Sequence, residues 1–211
     1  MAGKKHLPEE VTFRQAKSTD FDAAGRLLFA TFPKKATYTI GLGDEKRARA
    51  ILTNGFQVAD HRLSYTVTEM ALRKGQVVGL ITAFPGPKMG SLNLRLYRYL
   101  LSRYGLRGKA ALILRGLPLI FMKETGRDEY FLSNLAVKKD LRGKGIGAQM
   151  MVHVEDRARE AGFSKLALVV AMENQPARRF YERQGFSIKA VQLESNKRVP
   201  HLGPGYMRMV K

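Results

Sequence analysis

The sequence predicts a mixed α/β fold in which a β-sheet carries helices on both faces. Apolar or alternating segments typical of strands recur along the chain, and segments with helical spacing separate them. Gly and Pro residues lie where these segments end. With 211 residues, 45% of them hydrophobic, the chain is long enough for one domain with an ordinary core. We therefore expect a single domain over residues 1–211.

The first part of the chain is predicted to form a strand, two helices and a hairpin. An alternating segment from Val11 indicates the first strand, and Asp20 supplies an N-cap oxygen for the helix that follows. Pro33 is expected to end that helix, and residues 73–76 are the expected hairpin turn. These predicted elements are a strand at 11–16, helices at 21–32 and 44–56, and strands at 65–72 and 77–84.

The last part of the chain is predicted to alternate strands and helices. A strongly apolar strand precedes a basic, glycine-rich turn and a helix that ends at Gly162. Pro176 lies in the first turn of a second, shorter helix. These predicted elements are strands at 130–137 and 165–172, helices at 147–160 and 176–184, and closing strands at 186–193 and 206–210.

Residues 88–123 differ from the rest of the chain in composition. They contain eight Lys and Arg residues and no acidic residue. Apolar side chains such as Leu92, Leu96 and Leu100 recur among them at spacings near three and four. This pattern predicts an insertion of one or two basic amphipathic helices.

The charge balance is strongly basic. Thirty-seven Lys and Arg residues oppose 18 Asp and Glu residues, and the formal net charge of +19 favours a polyanionic partner such as nucleic acid, an anionic membrane or a phosphorylated ligand. The absence of Cys excludes disulfides, thiolate metal sites and a Cys nucleophile. The four His residues show no metal-ligand spacing, so we expect no metal. Without a long apolar run or a secretory signal, we expect a cytoplasmic protein with no membrane span.

A glycine-rich turn is the most informative motif. Arg142-Gly143-Lys144-Gly145-Ile146-Gly147 follows the buried strand and opens a helix. A helix N-terminus carries unpaired N–H groups and partial positive charge, and glycines let a phosphate approach the backbone. Arg142 and Lys144 add positive charge at that point. The turn therefore predicts a pyrophosphate-binding site, and a solvated turn is the alternative for the motif taken alone.

Two other phosphate-binding motifs fit the turn less well. A Walker sequence requires Ser or Thr after its Gly-Lys pair, and this chain has none at the required spacing. Gly143-x-Gly145-x-x-Ala148 matches the letters of a dinucleotide fingerprint. However, five residues separate Val137 from Gly143, and the acid expected about 20 residues further on is absent.

A third pattern fits. Arg142-x-x-Gly145-x-Gly147 matches Arg/Gln-x-x-Gly-x-Gly/Ala, and residues 174–186 match Asn-x-x-Ala-x-x-Phe-Tyr-x-x-x-Gly-Phe. With these two motifs in this order, and a helix and a strand between them, the chain resembles the GCN5-related N-acetyltransferase (GNAT) superfamily. The resemblance is clear from about Glu129 to Phe186 and is weaker over residues 11–84. It does not account for residues 88–123.

The resemblance implies a mostly antiparallel sheet whose central strands splay apart, with coenzyme A in the gap. Acetyl-CoA is then the cosubstrate, its pantetheine arm paired with the strand and its pyrophosphate on the turn. The cofactor-binding residues that this implies are Leu135, Ala136, Val137, Arg142, Gly143, Lys144, Gly145, Ile146, Gly147, Ala148, Asn174 and Tyr181. Asn174 is also a suitable cap for the helix that contains Pro176.

The resemblance also implies catalytic residues. Tyr181 matches the motif tyrosine that protonates the departing thiolate, and a phenol with an ordinary pKa of about 10 keeps its proton at neutral pH. The alternative is that Phe180 and Tyr181 form one apolar face of a short helix that packs in the core. Glu129, thirteen positions before Arg142, is the candidate base, with a surface carboxylate as the alternative. A backbone N–H near Leu135 is the expected oxyanion donor.

The expected activity is acetyl transfer from acetyl-CoA to a primary amine by direct attack in a ternary complex. A small molecule is favoured over a protein as the acceptor, and no specific nucleic acid is expected. The alternative is a non-enzymatic GNAT-fold module whose basic surface holds nucleic acid or another polyanion. For residues 88–123 we favour a lid over the acceptor pocket; a homodimer contact, an interfacial helix on an anionic membrane and an extra helical layer are the alternatives.

Overall fold

A seven-stranded sheet organises the structure. The structure is a computed structural model that describes residues 10–120, 123–193 and 203–211; for residues 117–120 it describes the backbone only. Within the described residues the strand order is β1-β2-β3-β4-β5-β7-β6, and only β4 and β5 run parallel. The strands are β1 (Thr12–Gln15), β2 (Thr68–Arg73), β3 (Gln76–Pro85), β4 (Glu129–Val137), β5 (Lys165–Ala171), β6 (Ser187–Leu193) and β7 (Gly205–Val210). The expected mixed, mostly antiparallel sheet is confirmed.

Helices pack on both faces of the sheet, as expected. The helices are α1 (Phe21–Thr31), α2 (Pro33–Lys35), α3 (Glu45–Phe56), α4 (Met89–Ser102), α5 (Leu106–Ile120), α6 (Ile146–Glu160) and α7 (Gln175–Arg183). Met150 and Val154 of α6 bury against one face of the sheet, while Leu28 of α1 and Phe56 of α3 bury against the other. None of the helices in the described residues has the length and apolar content needed to cross a bilayer.

Two predicted boundaries need correction. Pro33 does not end the helical course after α1, because it begins the short helix α2, which leads into a π-helical turn at Ala36–Ile40. A proline is tolerated in a first turn, where its missing N–H would have no partner. Residues 65–67 form a single 3₁₀ turn, so β2 begins only at Thr68.

The central strands β4 and β5 diverge. They pair only from Glu129 with Lys165 to Leu132 with Leu168. Beyond that point β4 continues along β3 to Val137, while β5 continues along β7 to Ala171. A gap therefore opens between residues 133–137 of β4 and residues 169–171 of β5, which confirms the splay.

A β-bulge lies where the gap begins. The register of β3 with β4 passes from Thr82 opposite Asn134 to Ala83 opposite Leu132, which leaves Ser133 without a partner residue. A bulge bends its strand and increases the local twist. The extra residue thus turns the end of β4 away from β5.

Helices α4 and α5 form a wall that packs on the core, and their role as a lid stays a prediction. Leu100 of α4 and Leu112 of α5 are buried in the same core as α1 and α3. The hydroxyl of Tyr99 donates to the carbonyl of Ile51 at 2.9 Å, and Arg115 Nη1 donates to the carbonyl of Tyr38 at 2.9 Å. Removing these helices would therefore expose core side chains.

The outer face of α5 remains apolar and exposed. Leu106, Ile113 and Leu114 are all more than half exposed, and they lie near one another on the helical surface. A dimer contact and an interfacial helix at this face both stay predictions.

Close packing of α1 on α3 yields the first test. A Cβ built on Gly25 would lie 2.2 Å from Oγ1 and 2.9 Å from Cα of Thr53. Because backbone cannot move aside cheaply, Gly25→Ala should lower the free energy of unfolding by about 1–3 kcal/mol. Gly90→Ala in α4 is the matched control, since its Cβ meets nothing within 4 Å; it should be neutral or stabilise by up to about 1 kcal/mol. Equal urea midpoints for the two variants would contradict the close approach.

Candidate active site

The glycine-rich turn joins the end of β4 to the start of α6. Gly143 and Gly145 have φ values of +76° and +80°, a region that favours glycine. Gly145 is the N-cap of α6, and in the part of the chain that the structure describes no side chain caps the first N–H groups of the helix. The first turn of α6 contains no acidic residue. These N–H groups and the positive end of the helix dipole are available to an anion.

The space around the turn suits a ligand. A Cβ on Gly143 would meet nothing within 4 Å, whereas a Cβ on Gly147 would lie 3.3 Å from the ring of Phe180. Gly147 therefore lets α7 pack closely, and Gly143 leaves one side open. Arg142 donates from Nε to the carbonyl of Val137 at 3.2 Å, which holds its guanidinium at the end of β4.

One cavity of about 1660 Å³ connects this turn with the gap and with the wall formed by α4 and α5. Most of the expected cofactor-binding residues line it. Those that do are Leu135, Ala136, Val137, Arg142, Gly143, Gly145, Gly147, Ala148, Asn174 and Tyr181.

Lys144 and Ile146 are not among the residues that line the cavity. Lys144 is exposed, and the side chain of Ile146 is 2% exposed within the core beneath α6. Neighbouring residues of a tight turn face different directions, so the motif could not show which side chains face the ligand. Ile146 still contributes its backbone to the first turn of α6.

Tyr181 lies on the cavity wall between the turn and the gap. Its ring packs edge-on against Phe180 and Phe186, with centroids 5.2 and 5.8 Å away. Within the described part of the chain its hydroxyl has no hydrogen-bond partner. Burial raises the pKa of Tyr181 to about 12, so the phenol keeps its proton at any physiological pH.

Asn174 caps α7. Its side-chain Oδ1 accepts a hydrogen bond from the Ala177 N–H at 3.2 Å, and the residue also lines the cavity. The capping role is therefore present in the structure, and contact with a cofactor stays a prediction.

Glu129 lies at the buried start of β4 and pairs with Arg208 of β7. Its other carboxylate oxygen accepts hydrogen bonds from the Gly126 N–H and from Thr125 Oγ1. Burial pushes the pKa of Glu129 upward, but these hydrogen bonds outweigh burial, so the pKa lies below its ordinary value. Glu129 is not among the residues that line the cavity. The structure thus does not bring the expected base to the other site residues, because its oxygens hold β7 and the preceding loop.

A polar cluster that the sequence did not predict lies on the cavity wall. Arg62 donates from Nη1 to Glu124 at 2.6 Å and to Asn93 at 3.2 Å, and from Nη2 to Ser133 Oγ at 3.2 Å. Burial raises the pKa of Glu124, whereas the neighbouring positive charge of Arg62 lowers it. The net result is a pKa below the ordinary value. These residues are scattered over 71 positions, so no local motif marks them.

Metal ligation has little support in the described ranges. Residues 10–120, 123–193 and 203–211 contain no group of three or more His, Asp or Glu side chains that could hold a metal ion.

A comparison of the whole sequence with protein families gives a match. The chain matches the acetyltransferase (GNAT) family over residues 28–186. The chain belongs to this family. The match includes β4, the turn, α6 and α7, as well as the insertion that forms α4 and α5.

The individual proteins that the chain resembles are described as acetyltransferases. An uncharacterised N-acetyltransferase of Bacillus subtilis (strain 168), YycN, is 36% identical over 63 residues, which is 30% of this chain and 40% of that protein. An acetyltransferase crystal structure is 22% identical, with a TM-score of 0.70 over 95% of this chain and 98% of that chain. An N-acetyltransferase from Staphylococcus aureus Mu50 is 18% identical, with a TM-score of 0.72 over 95% of this chain and 100% of that chain. At these identities the solved structures establish the shared fold.

The Arg208–Glu129 pair yields a stability test. Glu129→Gln leaves a buried guanidinium unpaired and should lower the free energy of unfolding at pH 7 by about 3–5 kcal/mol. Because the pKa of Glu129 is lowered by folding, this contribution is complete above the unfolded pKa of about 4.3 and is lost as the pH falls through the lower folded pKa. Urea unfolding at pH 7 and at a series of lower pH values follows this loss.

The matched control for that test is Glu182→Gln. Glu182 pairs with Arg178 at 2.8 Å on the surface of α7, and an exposed pair contributes only about 0.2–1 kcal/mol. If the two variants lose the same stability at pH 7, the Arg208–Glu129 pair does not brace the sheet.

Proposed function

We propose that the protein transfers the acetyl group of acetyl-CoA to the primary amine of a small molecule by direct attack in a ternary complex. The main observation in support is the single cavity that runs from the glycine turn, past the β4–β5 gap and Tyr181, to the wall of α4 and α5. A donor and an acceptor can occupy such a cavity together and meet without a covalent enzyme intermediate.

The donor end fits acetyl-CoA, which is a substrate in this scheme. The N-terminus of α6, Arg142 and the open side of Gly143 suit a pyrophosphate. Among the described residues, the edge of β4 from Ser133 to Val137 has no strand partner on the β5 side, so it can bind an extended chain by strand-like hydrogen bonds. At about 3.3 Å per residue, this edge runs for about 13 Å from the turn to the bulge.

The chemistry requires a neutral amine, an oxyanion donor and a proton for the leaving group. The amine lone pair forms the C–N bond at the thioester carbonyl, the C–S bond breaks, the amine loses one proton and the sulfur gains one. A backbone N–H near Leu135 would stabilise the oxyanion. Tyr181 would protonate the sulfur, because its hydroxyl is protonated and lies on the cavity wall, and because it makes no hydrogen bond with the described residues.

We do not carry Glu129 into this scheme as the base. Its lowered pKa makes it a weak proton acceptor, and its oxygens are bound to Arg208, Gly126 and Thr125. The amine proton would then leave to water, or the acceptor would bind as the free base. In that case the rate should follow the ionisation of the acceptor itself.

Incubation with acetyl-CoA and a set of small amines, followed by detection of free thiol, tests the proposal. Amine-dependent thiol release with one acetylated product for each thiol is the expected result. A non-enzymatic module that only holds polyanions through its +19 charge would bind nucleic acid or CoA but release no thiol.

Arg142→Ala tests the donor end. We expect the dissociation constant of acetyl-CoA to rise by the equivalent of about 1.5–3 kcal/mol, since a charged hydrogen bond is lost. Lys144→Ala is the matched control, because Lys144 has a similar charge but does not line the cavity, and it should have a smaller effect. Calorimetry at two salt concentrations should show weaker binding at high salt. Equal affinities for wild type and Arg142→Ala would argue against phosphate binding at the turn.

Tyr181→Phe tests the proton donor. The variant should fold and bind acetyl-CoA normally, but its single-turnover rate should fall by about 10²–10⁴. Since the pKa of Tyr181 is about 12, the wild-type rate should show no loss from tyrosine ionisation until the pH approaches that value. Phe180→Leu is a suitable control for ring packing. A Tyr181→Phe rate equal to that of wild type would assign Tyr181 to packing alone.

A further inference from the structure

Arg62 occupies the point where the gap begins. Its Nη2 donates to Ser133, the bulge residue of β4, and its guanidinium lies 5.7 Å from the centre of the Phe131 ring. The side chain lies on the cavity wall and is only 17% exposed. An acceptor that approaches the gap from the α4–α5 side therefore passes this guanidinium.

Arg62 keeps unused hydrogen-bond donors. A guanidinium has five N–H groups, and the bonds to Glu124, Asn93 and Ser133 use three of them. Nε–H and one Nη2–H remain without a partner in the described residues. Free guanidinium N–H groups donate charged hydrogen bonds to a carboxylate.

The charges around Arg62 also favour an anion. Among the described residues, seven Lys and Arg residues and two acids, Glu124 and Glu173, line the cavity. Both acids are already paired, Glu124 with Arg62 and Glu173 with Lys34. Lys35 is close enough to contribute to the lowered pKa of Glu124. A polycation would be repelled here, and an anionic group would be attracted.

The rest of the wall is apolar. One face of α4 lines the cavity with Met89, Leu96, Tyr97 and Leu100, and Leu112 of α5 lies beside them. Such a surface binds an aliphatic or aromatic group by excluding water from it.

We propose that Arg62 binds a carboxylate of the acceptor, and that the acceptor class is an apolar amine bearing that carboxylate, as in amino acids with aliphatic or aromatic side chains. This inference rests on the proposed function and assigns its acceptor. In an amino acid the amine and the carboxylate share one carbon atom. A carboxylate on Arg62 therefore holds the amine next to the apex of the gap, where Ser133 lies.

A pair of acceptors that differ only in the carboxylate tests this assignment in the wild-type protein. L-Phenylalanine and 2-phenylethylamine have the same ring and a primary amine. With acetyl-CoA present, and with rates referred to the concentration of neutral amine, kcat/KM should be at least about tenfold higher for phenylalanine. Equal values, or a preference for 2-phenylethylamine, overturn the assignment.

A binding measurement does not depend on turnover. Calorimetry of the CoA-saturated protein with N-acetylphenylalanine and with N-acetyl-2-phenylethylamine should show at least about tenfold tighter binding of the carboxylate. If the carboxylate binds tighter but no amine releases thiol, the proposed transferase activity fails and the carboxylate site stands. If thiol is released with both amines and neither product is preferred, the activity stands and the carboxylate site fails.

The Arg62→Lys variant tests whether Arg62 causes the preference for the carboxylate. This variant keeps the positive charge beside Glu124 but loses the planar fork, so the preference for the carboxylate in both measurements should fall by about tenfold. Arg95→Lys is the matched control: Arg95 lies on the outer side of α4, pairs with Asp60 at 3.0 Å and does not line the cavity. A preference unchanged in Arg62→Lys would overturn the role of Arg62. Should that variant fail to fold, the wild-type comparison of the two acceptors and the two products decides.

Discussion

The structure depends on a change of strand partners at the centre of the sheet. Glu129 to Leu132 pair with β5, and then the bulge at Ser133 turns β4 away while β5 follows β7. Unpaired backbone groups are costly in a protein interior, so a strand edge left open must face water or a ligand. The cavity places that edge beside the N-terminus of α6, which is also rich in unpaired N–H groups. The proposed binding of the donor along the edge of β4 depends on this divergence.

Two Arg–Glu pairs lie on either side of the bulge, and they differ in their surroundings. Arg208 and Glu129 are enclosed where β4 and β5 are still paired, and Glu129 accepts further hydrogen bonds from the loop. Arg62 and Glu124 line the cavity, whereas Arg208 and Glu129 do not. Because the first pair is enclosed, removal of one partner would leave a buried charge without its counter-charge. The second pair lies where the proposed acceptor can reach it.

The apolar and the charged side chains of the basic insertion, residues 88–123, lie in different surroundings. Its buried leucines join the core of α1 and α3, and its cavity-facing side chains make the wall apolar. Most of its Lys and Arg side chains point elsewhere. The net charge of the chain therefore says less about the cavity than the charged residues that line it, which are Lys34, Lys35, Arg62, Lys123, Glu124, Arg127, Arg142, Glu173 and Arg183.

The sequence by itself determined the order and type of the elements, the glycine turn and the position of Tyr181 in its motif. These features are local: hydrophobic periodicity, capping residues and glycine spacing act over a few residues, so a single sequence contains them. Only the tertiary structure decided that Glu129 binds Arg208, which lies 79 positions away in the sequence. Only the tertiary structure likewise decided that Arg62 contacts Ser133 and that Lys144 and Ile146 do not line the cavity. Contacts between distant segments are fixed by how the sheet twists and which helix packs on which face, and no local pattern carries that information.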